Sequence, residues 1–173
     1  MCCLMAFFTA LMLLAGGARA DAFPLDGPCN VYFSPHGGTE TALVNFISSA
    51  QKSVYVLAYN FTSPRIGSAL ISAKGRGVEV QVVLDSTASH GNGALLPVLR
   101  GAGIPVWIDK THKIAHNKVI VVDGLAFETG SYNYTASAEN SNGENALVCP
   151  SRAGAHLYTQ DFYHHQGHSE VAP

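Results

Sequence analysis

The residues best equipped for chemistry lie in one stretch, His116-Asn117-Lys118-Val119-Ile120-Val121-Val122-Asp123-Gly124, which runs on to Gly130-Ser131-Tyr132-Asn133. Residues two apart on a strand share a face, so His116 and Lys118 point the same way. The β-branched run 119–122 reads as a buried strand, and Asp123-Gly124 is a hairpin turn signal. Residues 125–129 return as the partner strand and bring Ser131 and Asn133 back to the level of His116 and Lys118. An imidazole, an ammonium, a hydroxyl and an amide then converge at one end of a rigid hairpin. That donor set suits a tetrahedral anion.

The same residues resemble the signature of the phospholipase D superfamily: His-x-Lys, an Asp after four further residues, then Gly-Ser-x-Asn. The matching positions are His116, Lys118, Asp123, Gly130, Ser131 and Asn133, all within eighteen residues. The resemblance is closest to the small bacterial nucleases that carry one motif copy. It extends to Tyr32-Phe33-Ser34-Pro35-His36-Gly37-Gly38, to Leu57-Ala58-Tyr59-Asn60-Phe61-Thr62 and to Glu144-Asn145-Ala146. It implies a double-histidine mechanism, in which one imidazole attacks phosphorus and a second protonates the leaving group. Lys118, Ser131 and Asn133 would hold the phosphoryl oxygens as charge develops.

The elements that must position these groups alternate between strand and helix. Strands are expected over 30–33, 53–59, 78–84, 105–108 and 145–148, in addition to the hairpin. Helices are expected over 39–51, capped by Thr39 or Thr41, over 64–74, 91–100 and 152–164. Residues 137–143 read as a polar loop, Glu139 as a solvated loop residue, and the tail after Gln166 as frayed. The class is α/β, with a mixed, largely parallel sheet flanked by helices and one motif copy per chain.

With 173 residues and 47% apolar content, the chain suits one domain with a full core. Residues 1–20 read as a leader: an apolar run too short to span a bilayer, then Ala18-Arg19-Ala20 as a small-x-small cleavage site. Export to the periplasm or medium follows, with 21–173 as the mature domain. Cleavage would leave Cys29 and Cys149, either as a disulfide between strand ends or as two buried thiols. The net charge of −2, or −3 without Arg19, excludes nucleic-acid binding by bulk charge. A local patch around Lys110, Lys113 and Lys118 would have to serve.

A nucleophilic histidine needs an acidic partner to fix its tautomer. Asp123 lies an odd number of residues from His116 and faces away, so it reads mainly as a turn anchor; Glu144 is the favoured partner. The catalytic candidates are thus His116, Lys118, Asp123, Ser131, Asn133 and Glu144. His36, Asn60 and Lys113 are substrate-binding candidates, the first two in loops at strand carboxyl ends, where open α/β sheets bind ligands.

No catalytic metal or other cofactor is expected. His112 and His116 are four apart, but in an extended segment their rings stand about 13 Å apart. His164, His165 and His168 read as a solvated helix end. The resulting expectation is an exported, metal-independent phosphodiesterase acting on DNA or RNA as a homodimer, with His116 of each subunit at one phosphate. His36 or His112 of the same chain are alternative acids. A phospholipase and a non-catalytic nucleic-acid-binding module are the competing readings.

Overall fold

A computed structural model describes residues 20–89 and 94–173. Eight strands form one sheet in the order β1-β7-β6-β5-β2-β3-β4-β8. They are β1 Asn30–Ser34, β2 Ser53–Ala58, β3 Glu79–Asp85, β4 Val106–Asp109, β5 Lys118–Val122, β6 Ala126–Gly130, β7 Glu144–Pro150 and β8 Glu170–Val171. The helices are α1 Thr39–Ser48, α2 Pro64–Gly75, α3 Leu96–Gly101, α4 Ala136–Asn140 and α5 Arg152–Gly167.

The sheet is mixed, as expected, but parallel pairing is confined to β2 with β3 and β3 with β4. The expected largely parallel sheet fails at β1, which crosses to the far edge and pairs antiparallel with β7. The β5-β6-β7 meander occupies the flank of β2 where β1 would otherwise lie.

Strand alternation sorts the core into two layers. Val54, Val56, Ile120 and Val122 face Leu43 and Ile47 of α1 and Ile66 and Leu70 of α2. Tyr55, Leu57, Val119 and Val121 face Ala155 and Phe162 of α5. Both faces of β2 and β5 are therefore dry, which is why their sequences are continuously apolar.

Local chemistry sets the element ends. Ser63 accepts from the Ile66 amide and Pro64 opens α2, the arrangement expected there. The expected threonine cap of α1 is absent: Gly38, at φ 74°, holds the N-cap position, and Thr39 Oγ1 is buried without a partner. The amide of Glu40 instead donates to Glu139 Oε2, which also accepts the Tyr132 hydroxyl. Glu139 is therefore no solvated loop residue. It ties α4 to the start of α1, and α4 itself occupies part of the expected loop.

The third helix starts later than expected, at Leu96, with residues 91–93 of the expected span outside the described residues. The tail is not frayed. Helix α5 continues to Gly167, β8 pairs with β4, and the buried Ala172 donates its amide to Val106. Residues 1–19, where the leader was expected, also lie outside the described residues. Cys29 and Cys149 are joined as a disulfide, one residue beyond the Asn30–Val148 register pair of β1 and β7.

Candidate active site

The hairpin that carries the candidate residues is built as its sequence suggests. Asp123 and Gly124 both take positive φ, 56° and 64°, and the Leu125 amide donates to Val122. That is the turn type whose twist matches a two-residue hairpin. Asp123 then accepts the backbone amides of Gln51, Lys52 and Ser53 at 2.7–3.2 Å. Burial alone would raise its pKa, but these bonds and the Lys52 charge outweigh it and hold the carboxyl below its ordinary range. It sits at the far end of β5 from His116, seven residues and about 23 Å along an extended chain. Asp123 is thus misplaced in a catalytic set: it clamps the hairpin to the α1–β2 turn.

The opposite end of the hairpin collects the other groups. Lys118 pairs with Ala58 at the end of β2, and the Tyr59 amide donates to Asn117. Tyr59 therefore stands beside the His-x-Lys pair. Its ring lies 4.5 Å from that of His116, centroid to centroid, and 5.1 Å from Lys118 Nζ. The Lys118 side chain is buried, and its ammonium donates to the His116 carbonyl at 2.9 Å. Burial lowers its pKa, partly offset by the charge of Glu144. His116 itself is exposed. A fixed cation thus lies behind an accessible imidazole.

Strand β6 ends at Gly130, where a side chain is forbidden: a Cβ there would lie 2.2 Å from the Asn145 carbonyl oxygen. This close approach lets Ser131 and Tyr132 both donate their amides to that oxygen. The Ser131 hydroxyl donates to Glu144 at 2.6 Å and accepts the Asn145 amide at 3.1 Å. The other oxygen of Glu144 accepts from Asn142. Asn133 is half-buried, and its side-chain oxygen Oδ1 has no partner.

The fold therefore brings His116, Lys118, Ser131 and Glu144 to one end of the sheet. Glu144 lies on Ser131 and within the field of Lys118; among the described residues, no hydrogen bond joins it to the His116 ring of the same chain. His36 follows β1 at the same end, exposed and with φ 68°, and Asn60 follows β2, its backbone carbonyl accepting the Tyr134 amide. Lys113 is exposed in the loop before His116, whereas Lys110 is paired with Glu170, which weakens the expected basic patch.

Two acidic side chains went unnoticed in the sequence. Glu128 of β6 is fully buried, with one oxygen bonded to the Tyr134 hydroxyl at 2.8 Å and the other without a partner. Asp109, also fully buried, ends β4 with three histidine rings around it. Tyr59 carried one signal: it directly follows the strand that pairs with Lys118.

The family described as cardiolipin synthase, PLD-like domain, matches residues 43–166, which include the whole hairpin. The chain belongs to the phospholipase D superfamily. A phospholipase D of Rickettsia felis is 39% identical over 130 residues, 75% of this chain, and this chain spans 65% of that relative's length. The human mitochondrial cardiolipin hydrolase is 33% identical over 155 residues, 89% of this chain and 60% of that protein. Among solved structures, the phospholipase D family member Nuc from Salmonella typhimurium superimposes with a TM-score of 0.80 at 34% identity. That match covers 84% of this chain and 97% of Nuc. As a phospholipase D superfamily member with one motif copy, the chain has the mixed sheet and flanking helices of Nuc.

Proposed function

We propose that this phosphodiester hydrolase is an exported, metal-independent endonuclease that cleaves DNA or RNA as a homodimer. The observation that carries the reading is the exposed His116 at one end of the sheet, with the Lys118 ammonium on its carbonyl and Ser131 bonded to Glu144, whose charge reaches Lys118. A ring nitrogen of His116 attacks phosphorus as the ester P–O bond breaks, and the leaving oxygen takes a proton from a second histidine. Water then attacks the phosphohistidine. It passes a proton to the second histidine, the P–N bond breaks, and both imidazoles return to their starting states.

The second histidine is His116 of the partner subunit. One chain supplies a single His-x-Lys pair, and a two-fold axis beside the hairpin repeats it at the same phosphate. Phe33, 62% exposed, and Ile114, 48% exposed, lie toward this end of the sheet and would be covered by such a partner. Glu144 is the acid left to orient these histidines, since Asp123 is engaged at the other end of the sheet. Export after cleavage at Ala20 is supported by the disulfide, which needs an oxidising compartment.

Nucleic acid is preferred as substrate because the match runs through 97% of Nuc, whereas relatives named for lipids are considerably longer than the matched region. Those same names favour the second reading, a phospholipid hydrolase.

The test is a panel of plasmid DNA, RNA, phosphatidylcholine vesicles and cardiolipin vesicles, each with and without EDTA, well below the melting temperature. Cleavage of nucleic acid that survives EDTA and disappears in His116→Ala is the expected outcome. Lipid turnover without nucleic-acid cleavage would reverse the substrate assignment. A divalent ion still required for activity in His168→Ala, where the histidine cluster cannot hold one, would reject the mechanism. For the dimer, subunit-exchanged hybrids of wild type with His116→Ala should be nearly inactive; hybrids with half the wild-type rate would show self-sufficient chains.

A further inference from the structure

The α5 face of the sheet holds a cluster that the hairpin chemistry does not use. Alternation along β4 places Asp109 on the same face as Trp107, toward α5, where its carboxylate is fully buried. One oxygen, Oδ1, accepts the backbone amides of Thr111 and His112 at 2.9 and 3.2 Å and is thereby fixed. The other, Oδ2, meets three imidazoles: His165 Nδ1 at 2.7 Å, His112 Nδ1 at 2.9 Å and His168 Nε2 at 3.1 Å. The three ring centroids stand 5.0–5.4 Å apart, and the four potential ligand atoms all lie within 4.8 Å of one another.

We propose that Asp109, His112, His165 and His168 form a closed, structural divalent-metal site best suited to Zn2+. Three imidazole nitrogens and one monodentate carboxylate oxygen are a complete tetrahedral set for that ion. With metal–ligand distances of about 2.0–2.1 Å, neighbouring ligand atoms of a tetrahedron lie about 3.3 Å apart. The contacts to Oδ2 would open by a few tenths of an ångström, and the nitrogens, within 4.8 Å of one another, would draw together by side-chain rotation. Without an ion, a single oxygen must satisfy three ring nitrogens; with one, each nitrogen directs a lone pair at the metal.

The surroundings have the outer shell such a site needs. A ligating histidine donates its other ring N–H to an acceptor. His165 Nε2 has the Asn117 amide at 3.0 Å and the Asp161 carboxylate at 3.9 Å. Turning the Asn117 amide end for end presents its carbonyl to that N–H, and the orientation of such amides follows their partners. His112 is 44% exposed in its side chain and His168 23%, so an ion can reach the site from solvent. The expected solvated histidine tail is therefore corrected for His165, which is buried, and for His168, which is bonded to Asp109.

The ion would join the end of β4, the loop after it and the last turn of α5, segments 56 residues apart. Through Asn117 it would brace the backbone between His116 and Lys118, while lying on the other face of the sheet from those two side chains. It thus supplies rigidity and takes no part in the chemistry.

The test uses the full chain stripped with chelator and titrated with Zn2+ or Co2+. Wild type should bind one equivalent, give the visible spectrum of tetrahedral Co2+ and melt at a higher temperature when loaded. His112→Ala and His168→Ala, at positions exposed enough to keep the fold by circular dichroism, should bind at least about tenfold more weakly. His164→Ala should bind as wild type, since its ring contributes no ligand atom. Absence of stoichiometric binding, an octahedral Co2+ spectrum, or binding lost in His164→Ala but kept in the other two variants would overturn the proposal.

Discussion

Replacing Glu128 by Gln should make the protein markedly less sensitive to a rise in pH from 5 to 8. Glu128 lies between Ile120 of β5 and Val148 of β7, fully buried, with only the Tyr134 hydroxyl as partner. Burial pushes its pKa up to about 8, against the opposing effect of the Tyr134 bond. The folded protein therefore keeps this proton up to about pH 8, whereas the unfolded chain releases it near the ordinary value of 4.5. Between those limits the unfolded state binds fewer protons, so stability falls as pH rises and levels off above 8. From pH 5 to pH 8 the loss amounts to about 3–4 kcal/mol. Glutamine keeps the shape and the acceptor for Tyr134 but cannot ionise. Urea unfolding of both proteins at pH 5, 6.5 and 8 isolates the effect, because every other titrating group is common to the pair. The advantage of the variant should grow by that amount across the series, roughly 10 °C in melting temperature for a domain of this size. Parallel stability curves would refute the account and show that Glu128 reaches water or ionises in place.

Lys118→Ala should lower turnover by about 10²–10³-fold with little change in the Michaelis constant, because a fixed donor to a developing anion acts chiefly in the transition state. A raised Michaelis constant with retained turnover would make it a docking charge. Replacing Cys29 and Cys149 by Ser opens a link across a sequence separation of 120 residues. Chemical denaturation should register a loss of about 2–5 kcal/mol; an unchanged midpoint would mean that the β1–β7 ladder holds without it.

Legibility followed the range of the interactions. The Asp-Gly turn, the two strands around it and the helix opened by Ser63 and Pro64 are local, and their residues encode them. The face alternation of His116 and Lys118, and the turn-anchoring role of Asp123, also follow from period two alone. What escaped was decided at a distance. Glu139 looks solvated until the Glu40 amide, 99 residues earlier, arrives to use it. The two residues of β8 have no strand signature and exist because β4 leaves an edge for them. The histidines of α5 read as a polar helix end because nothing nearby in sequence reveals Asp109. Glu128 breaks an apolar pattern without a neighbouring clue to its burial.

The clamp on Asp123 has a consequence for how this chain can change over evolutionary time. Three amides of the α1–β2 turn hold one end of the hairpin, so the number of residues from there to the site is counted from a fixed post. A single insertion or deletion in β5 would turn every side chain beyond it to the opposite face. Asn117 would then present to substrate while His116 and Lys118 turned toward α5. Length variation within β5 should therefore be tolerated only in steps of two, whereas the loop between Asp109 and His116 is free of that parity.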